Sequence, residues 1–246
     1  MSKKIFEDYT ESYNFKLLNR TPIVVHLNGR SFKKTTMFLT KPFCKELSDC
    51  FSSTLYKLCS EVEGCVFGYT FNDEIILILR NDQTKETLPW YDNRIQKINS
   101  VITSIATYNF TTAIHAADLI INGQCIFINQ LFNLPKINDC MTYLTMCQAK
   151  NFINSLNYAC EYELSKLNLE KDAIKTMLSD LSINDRQKLL YRTCNIDFMD
   201  YASEFRRGVA CYREHDEKAK WVLDQDLIIF SEDQHWLLDK LNFIYY

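Results

Sequence analysis

Glycine and proline are scarce in this chain, 5 and 4 among 246 residues. That excludes a flexible linker and a fold of many tight turns, and it calls for long elements. An excess of one charge is missing too. The 28 basic residues stand against 31 acidic ones, a formal net charge of −3 with no long single-sign block. Global charge therefore announces no nucleic-acid binder, although a local basic face stays open. No apolar run reaches the ~18 residues that cross a bilayer. The N-terminal MSKKIFEDYTESYNF carries acids and lacks the apolar core of a signal peptide. The expectation is a soluble, cytoplasmic protein with no membrane partner.

Cysteine, in contrast, is plentiful. The ten thiols lie at 44, 50, 59, 65, 125, 140, 147, 160, 194 and 211, mostly inside apolar segments and never as C-x-x-C. Zinc or a disulfide framework would want closer or more regular spacing, so free buried thiols in a reducing compartment are expected. His26, His115, His215 and His235 share no ligand spacing and read as structural or surface residues. With 47% hydrophobic residues the chain can build a sizeable core, as one large domain or two small ones.

Hydrophobic periodicity gives the elements. PIVVHLN (22–28) reads as a strand ending at Gly29, and 43–62 as an amphipathic helix. Residues 93–110 read as a second helix, 124–132 as a strand, and 138–166 and 170–192 as helices. Asp197 to Tyr201 suits an N-cap and short turn, and 206–213 and 221–230 look like late strands. The fold class is α+β: strands crossed by helices, plus a helical extension. The expected division is 1–135 for the sheet domain and 136–246 for the extension, whose closing strands return to the sheet.

VFGYTFNDEIILIL (66–79) sets Asn72, Asp73 and Glu74 inside an apolar hairpin. Adjacent carboxylates there are costly if buried without partners. A solvated β-turn explains them, since Asn-Asp is common turn chemistry. A shared cation explains them as well. If the strand ending in Asn28-Gly29 lies beside the hairpin, Asn28, the Gly29 carbonyl and Asp73 offer oxygens to Mg²⁺ and to substrate phosphates. Two such ions about 4 Å apart clamp the oxygens of phosphoryl transfer.

The order of motifs along the chain resembles the tRNA-histidine guanylyltransferase family, especially its bacterial-type guanylyltransferase-like members. The resemblance rests on NRTPIVVHLNGRSF (19–32), LTKPF (39–43), GCVFGYTFNDEIILIL (64–79) and WYDNRIQKINSVITSIAT (90–107). It continues through NIDFMDYASEFRRGVACYRE (195–214) and WVLDQDLIIF (221–230). It implies a palm-like domain and 3′-to-5′ nucleotide addition at the 5′ end of tRNA, or of another RNA with a 5′ monophosphate. GTP or ATP would be the substrate, two Mg²⁺ ions the cofactor, and a homo-tetramer the assembly. Carried over by position, Asp73 and Glu74 are the catalytic acids with Asn28, and Asn28, Gly29 and Asp73 hold metal. Gly29, Arg30, Ser31, Phe32, Lys41 and Asn72 lie by the nucleotide. Arg206 and Arg207 would meet RNA phosphate, or else form a solvated strand edge.

The departures fall on polar positions. Asn28 and Cys44 stand where the family has Asp, and Asn72 where it has Ser. In MCQAKNFIN (146–154) Gln148 and Asn154 are kept, while Cys147 replaces an Arg and Lys150 an Asp; INGQ (121–124) replaces F-D-x-R. An active nucleotidyltransferase with a weakened metal site and a non-catalytic nucleotide- or RNA-binding descendant are both consistent with this pattern.

Overall fold

The computed structural model describes residues 3–214 and 219–243, so His215 lies outside the described residues. In chain order the first elements are α1 (Lys3–Glu11), β1 (Ile23–Gly29), α2 (Phe32–Thr35), α3 (Lys45–Glu61), β2 (Cys65–Phe71) and β3 (Glu74–Leu79). Then come α4 (Ile95–Ala116), β4 (Phe127–Asn133), α5 (Ile137–Ser165), α6 (Lys171–Ser179) and α7 (Ile183–Cys194). The chain closes with α8 (Ser203–Arg207), β5 (Val209–Arg213), β6 (Trp221–Asp224) and α9 (Gln234–Leu241). The fold is α+β, and the six strands among the described residues form one antiparallel sheet in the order β4-β1-β3-β2-β5-β6.

Alternation along the strands feeds two cores. Val25, Leu27, Ile75 and Leu77 face α3 and α4, packing on Leu55, Leu58, Ile102 and Phe110. Val24, Ile76 and Ile78 face the other way, onto Leu144 of α5 and Leu237 and Leu241 of α9. Because both faces are covered, the central strands are apolar almost throughout. A third core, with Leu156, Cys160, Leu178, Leu190 and Phe198, ties the far half of α5 to α6 and α7. All ten cysteines are free and eight are buried. Burial pushes the Cys140 thiol up to about 12, so it packs as a small apolar side chain.

Several boundaries differ from the sequence expectation, each for a local reason. Residues 170–192 form two helices, because Ser182 caps α7 by accepting the Asp185 N–H at 3.2 Å. Residues 206–213 are not one strand. They hold the end of α8 and then β5, divided at Gly208 with φ +84°. Of 221–230 only Trp221–Asp224 is strand, since Asp224 Oδ1 accepts the Asp226 N–H at 3.1 Å and turns the chain. The helix expected over 93–110 runs on to Ala116. The helices α1, α2 and α9 have no counterpart in the sequence expectation.

Gly208 is the joint between α8 and the sheet. A Cβ there would lie 2.6 Å from Tyr69 Cε2 and 2.7 Å from the Thr70 carbonyl, on a backbone that L side chains rarely adopt. Gly208→Ala is expected to cost about 2–4 kcal/mol of stability. Urea denaturation measures it, and an unchanged midpoint would contradict the packing described.

Candidate functional site

The site begins where β1 ends. Asn28 stands opposite Glu74 in the β1–β3 register, and Gly29 N–H donates to the Asp73 carbonyl at 2.8 Å. The end of the first strand and the tip of the acidic hairpin are therefore neighbours. Glycine is needed at 29 because the chain doubles back: a Cβ would lie 2.6 Å from Phe32 Cγ. Phe32 is buried against Phe51, Phe110 and Phe127, with ring centroids 5.3–5.7 Å apart. At the hairpin tip Asn72 takes the left-handed conformation, φ +52°, which Asn tolerates better than most residues.

The two acids diverge from this point. Glu74 begins β3 on the face of Ile76 and Ile78, toward α5. Its Oε2 lies 3.2 Å from His26 Nε2, and His26 Nδ1 lies 2.6 Å from the Tyr143 hydroxyl. The His26 hydrogen bond, opposed by burial and helped by the charges of His26 and Lys150, holds the Glu74 carboxyl below its ordinary range. Asp73 sits in the turn itself. Burial, with the Glu74 charge adding to it and a backbone hydrogen bond opposing, raises its carboxyl above the ordinary range. One acid is partnered; the other is held in an environment that resists its charge.

Asp73 borders a cavity of about 540 Å³ between the hairpin, α2, α3, α5 and α8. Four sequence candidates line it: Phe32, Lys41, Asn72 and Asp73. Phe43, Ser48, Tyr158, Glu204 and Phe205 also line it and were not among the site candidates. The Phe43 and Phe205 rings stack at 4.9 Å, and Lys41 Nζ lies 5.6 Å from the centroid of the Tyr158 ring. A flat aromatic group and an anion both find partners here. A second cavity, about 580 Å³, lies at the other end of the strands by Ile23, Gly64 and Leu79, and none of the candidates lines it.

Asn28, Gly29, Arg30, Ser31 and Glu74 do not line the first cavity. Arg30 and Ser31 are exposed. Arg206 and Arg207 need correction: they lie on α8 rather than on a strand, and they are half-buried rather than exposed. Arg206 Nε donates to the Tyr201 carbonyl at 2.7 Å, and Arg207 donates to the Leu227 carbonyl at 3.1 Å. His26, expected to be structural or on the surface, holds Glu74. Alternation from Asn28 was the available signal for that contact. Gln148 is structural: it donates to the Arg207 and Ile228 carbonyls at 3.2 and 2.9 Å and accepts the Phe230 N–H at 2.8 Å. Asn154 and Cys44 line the cavity.

The donor set suits a single Mg²⁺. Such an ion is commonly bound through one or two carboxylates and completed by phosphate oxygens and water. The unrelieved charge of Asp73 is where a cation would be favoured. Among the described residues, no three His, Cys, Asp or Glu side chains are grouped to hold a metal.

Comparison with known proteins gives the site a context. The family profile of tRNAHis guanylyltransferase matches residues 3–144. A tRNA(His) guanylyltransferase of Neurospora crassa is 22% identical over 209 residues, 81% of this chain and 69% of that protein. A probable tRNA(His) guanylyltransferase of Dictyostelium discoideum is 24% identical over 207 residues, 80% of this chain and 77% of that one. Among solved structures, a bacterial tRNA(His) guanylyltransferase-like protein in complex with ATP superposes with a TM-score of 0.84. It is 24% identical, and the match covers 97% of both chains. A bacterial protein of the same description in complex with GTP gives a TM-score of 0.75 at 23% identity, again over 97% of both chains.

The unrelieved charge has a measurable consequence. A carboxyl raised on folding contributes stability below its unfolded pKa and loses it as pH rises through the folded value. Asp73→Asn is therefore expected to melt above the wild type at pH 7.5 in EDTA, with the gap closing toward pH 3. Differential scanning calorimetry reads this, and a lower-melting variant at pH 7.5 would contradict it.

Proposed function

The chain belongs to the tRNAHis guanylyltransferase family, and from that premise we propose a metal-dependent nucleotidyltransferase that adds nucleotides to the 5′ end of tRNA or a related RNA. Growth runs in the 3′-to-5′ direction. The observation that carries this reading is the convergence of Phe32, Lys41, Asn72 and Asp73 on one cavity beside the end of β1.

A nucleoside triphosphate, GTP or ATP, fits this cavity by chemistry. The aromatic walls of Phe43, Phe205 and Tyr158 suit the base, and Lys41 is a charge-assisted donor to phosphate. Bound Mg²⁺ would neutralise phosphate charge and polarise the phosphoryl oxygens. Asp73 would hold the ion, with the Gly29 carbonyl and the Asn28 amide oxygen beside it. Glu74, kept ionised by His26, adds negative potential without lining the cavity. The exposed Arg30 and Ser31 are suited to the RNA 5′ monophosphate. A phosphate contact by Arg206 and Arg207 would use the N–H groups that their carbonyl partners leave free.

The broader assignments follow from the same reading. Ten free thiols and an RNA substrate suit the cytoplasm. No helix among the described residues is long and apolar enough to cross a membrane. Self-association, as the homo-tetramer implied by the family resemblance, is supported by apolar side chains along the N-terminal segment: Phe6, Tyr9, Tyr13, Phe15 and Leu18 are each 60–67% exposed. The expected units are 1–135 and 136–246, joined by β5 and β6 in the common sheet.

A second reading, a nucleotide- or RNA-binding descendant without catalysis, is favoured by one observation. Asp73 is the only acid of the candidate set on the cavity wall, and Asn28, paired with Glu74 at the end of the neighbouring strand, is neutral. Incorporation of labelled nucleotide into 5′-monophosphorylated tRNA, with Mg²⁺ and with Mn²⁺, separates the two. Product is expected, and Asp73→Ala should lower its rate by about 100-fold or more. Asn28→Asp should raise the rate at limiting metal. Absence of product with both ions would favour the descendant, and an active Asp73→Ala would remove the metal assignment.

A further inference from the structure

We infer that Glu204 reads the base of the bound nucleotide and selects guanine over adenine. This rests on the cavity holding a nucleotide, and it begins from a carboxylate that is only half satisfied. The Glu204 side chain is 3% exposed. Its Oε2 accepts from Ser48 Oγ at 3.2 Å and from Lys45 Nζ at 3.3 Å. Its Oε1 is sealed from water and has no hydrogen-bond partner. A carboxylate has about four acceptor sites, so about two stand open. Leaving a buried acceptor unpaired is costly, and the cavity that Glu204 lines is where a donor can come from.

The chemistry of that donor is narrow. The triphosphate is excluded, because its charge is repelled by the acid and drawn to Lys41. The base is the part of the nucleotide that remains, and Phe205, the next residue, contributes an aromatic wall beside the acid. Guanine presents N1–H and N2–H₂ side by side, two donors for an acceptor-only group. Adenine presents N6–H₂ next to the N1 lone pair, which a carboxylate repels. Because Oε1 is sealed, reaching the base edge takes a turn of the carboxyl about its terminal bond, a soft torsion. Ser48 and Lys45 hold the acid in place through its Oε2.

Equilibrium binding of GTP, ITP and ATP to the full chain tests this, with Glu204→Gln and Lys41→Ala as variants. The wild type is expected to bind GTP about 10- to 100-fold more tightly than ATP, with ITP, which lacks the 2-amino group, in between. Glu204→Gln should remove that preference and keep or improve ATP binding, since its amide offers adenine one donor and one acceptor. Lys41→Ala should weaken GTP and ATP alike. If Lys41→Ala weakens both while Glu204→Gln keeps the guanine preference, the cavity stands and the role of Glu204 is overturned. If neither variant changes binding, the nucleotide cavity falls and the role of Glu204 falls with it. Should Glu204→Gln not fold, the wild-type series still decides, because equal affinities for the three nucleotides overturn the inference.

Discussion

The hydrogen bond from Gly29 N–H to the Asp73 carbonyl, 2.8 Å long, closes the ladder between β1 and the β2–β3 hairpin. The arrangement of the site depends on it. Pairing Asn28 with Glu74 puts Asp73 one residue beyond the ladder, in the turn, where its side chain can face the cavity. A slip of one residue would drive Glu74 toward the α3–α4 core and turn Ile75 out of it. Leu27, Ile75 and Leu77 on one face and Val24, Ile76 and Ile78 on the other make that slip costly, because both faces are buried. The apolar frame thus fixes where the polar residues stand.

Within that frame the two acids have separate environments. Glu74 has His26 as partner, and His26 is steadied by Tyr143 from α5. Asp73 is half-buried beside the like charge of Glu74, and burial raises its carboxyl. A fold keeps such a group at a cost in stability, a pattern typical of sites prepared for a ligand. Glu204, also on the cavity wall, has one oxygen paired and the other without a hydrogen-bond partner. The metal-bound purine nucleotide proposed above would bring a cation to Asp73 and a hydrogen-bond donor to Glu204.

How much of this was legible in the sequence depends on the range of the interaction. The β-branched run in IVVHLNG and the continuous apolar run in EIILIL gave β1 and β3, and helical spacing gave α3 and α4, because those patterns record burial directly. The convergence of Phe32, Lys41 and Asp73 was legible through the family resemblance rather than through spacing. Local polar contacts set the boundaries that were misjudged. Ser182 interrupts an otherwise continuous helical pattern, and the φ of Gly208 turns RRGVACYR from a strand into a helix end and a strand. That second misjudgement hid Glu204 and placed Arg206 and Arg207 on an edge they do not occupy. The carbonyls that hold those arginines, Tyr201 and Leu227, are backbone atoms, which a sequence pattern does not reveal.

A crystal structure of the full chain grown with Mn²⁺ and a non-hydrolysable GTP analogue, read by anomalous scattering, tests the central claim most directly. The account predicts a manganese peak between the Asp73 carboxylate and the triphosphate, with the guanine ring between Phe205 and Glu204. Nucleotide bound elsewhere on the sheet, or in the cavity with no metal at Asp73, would contradict it.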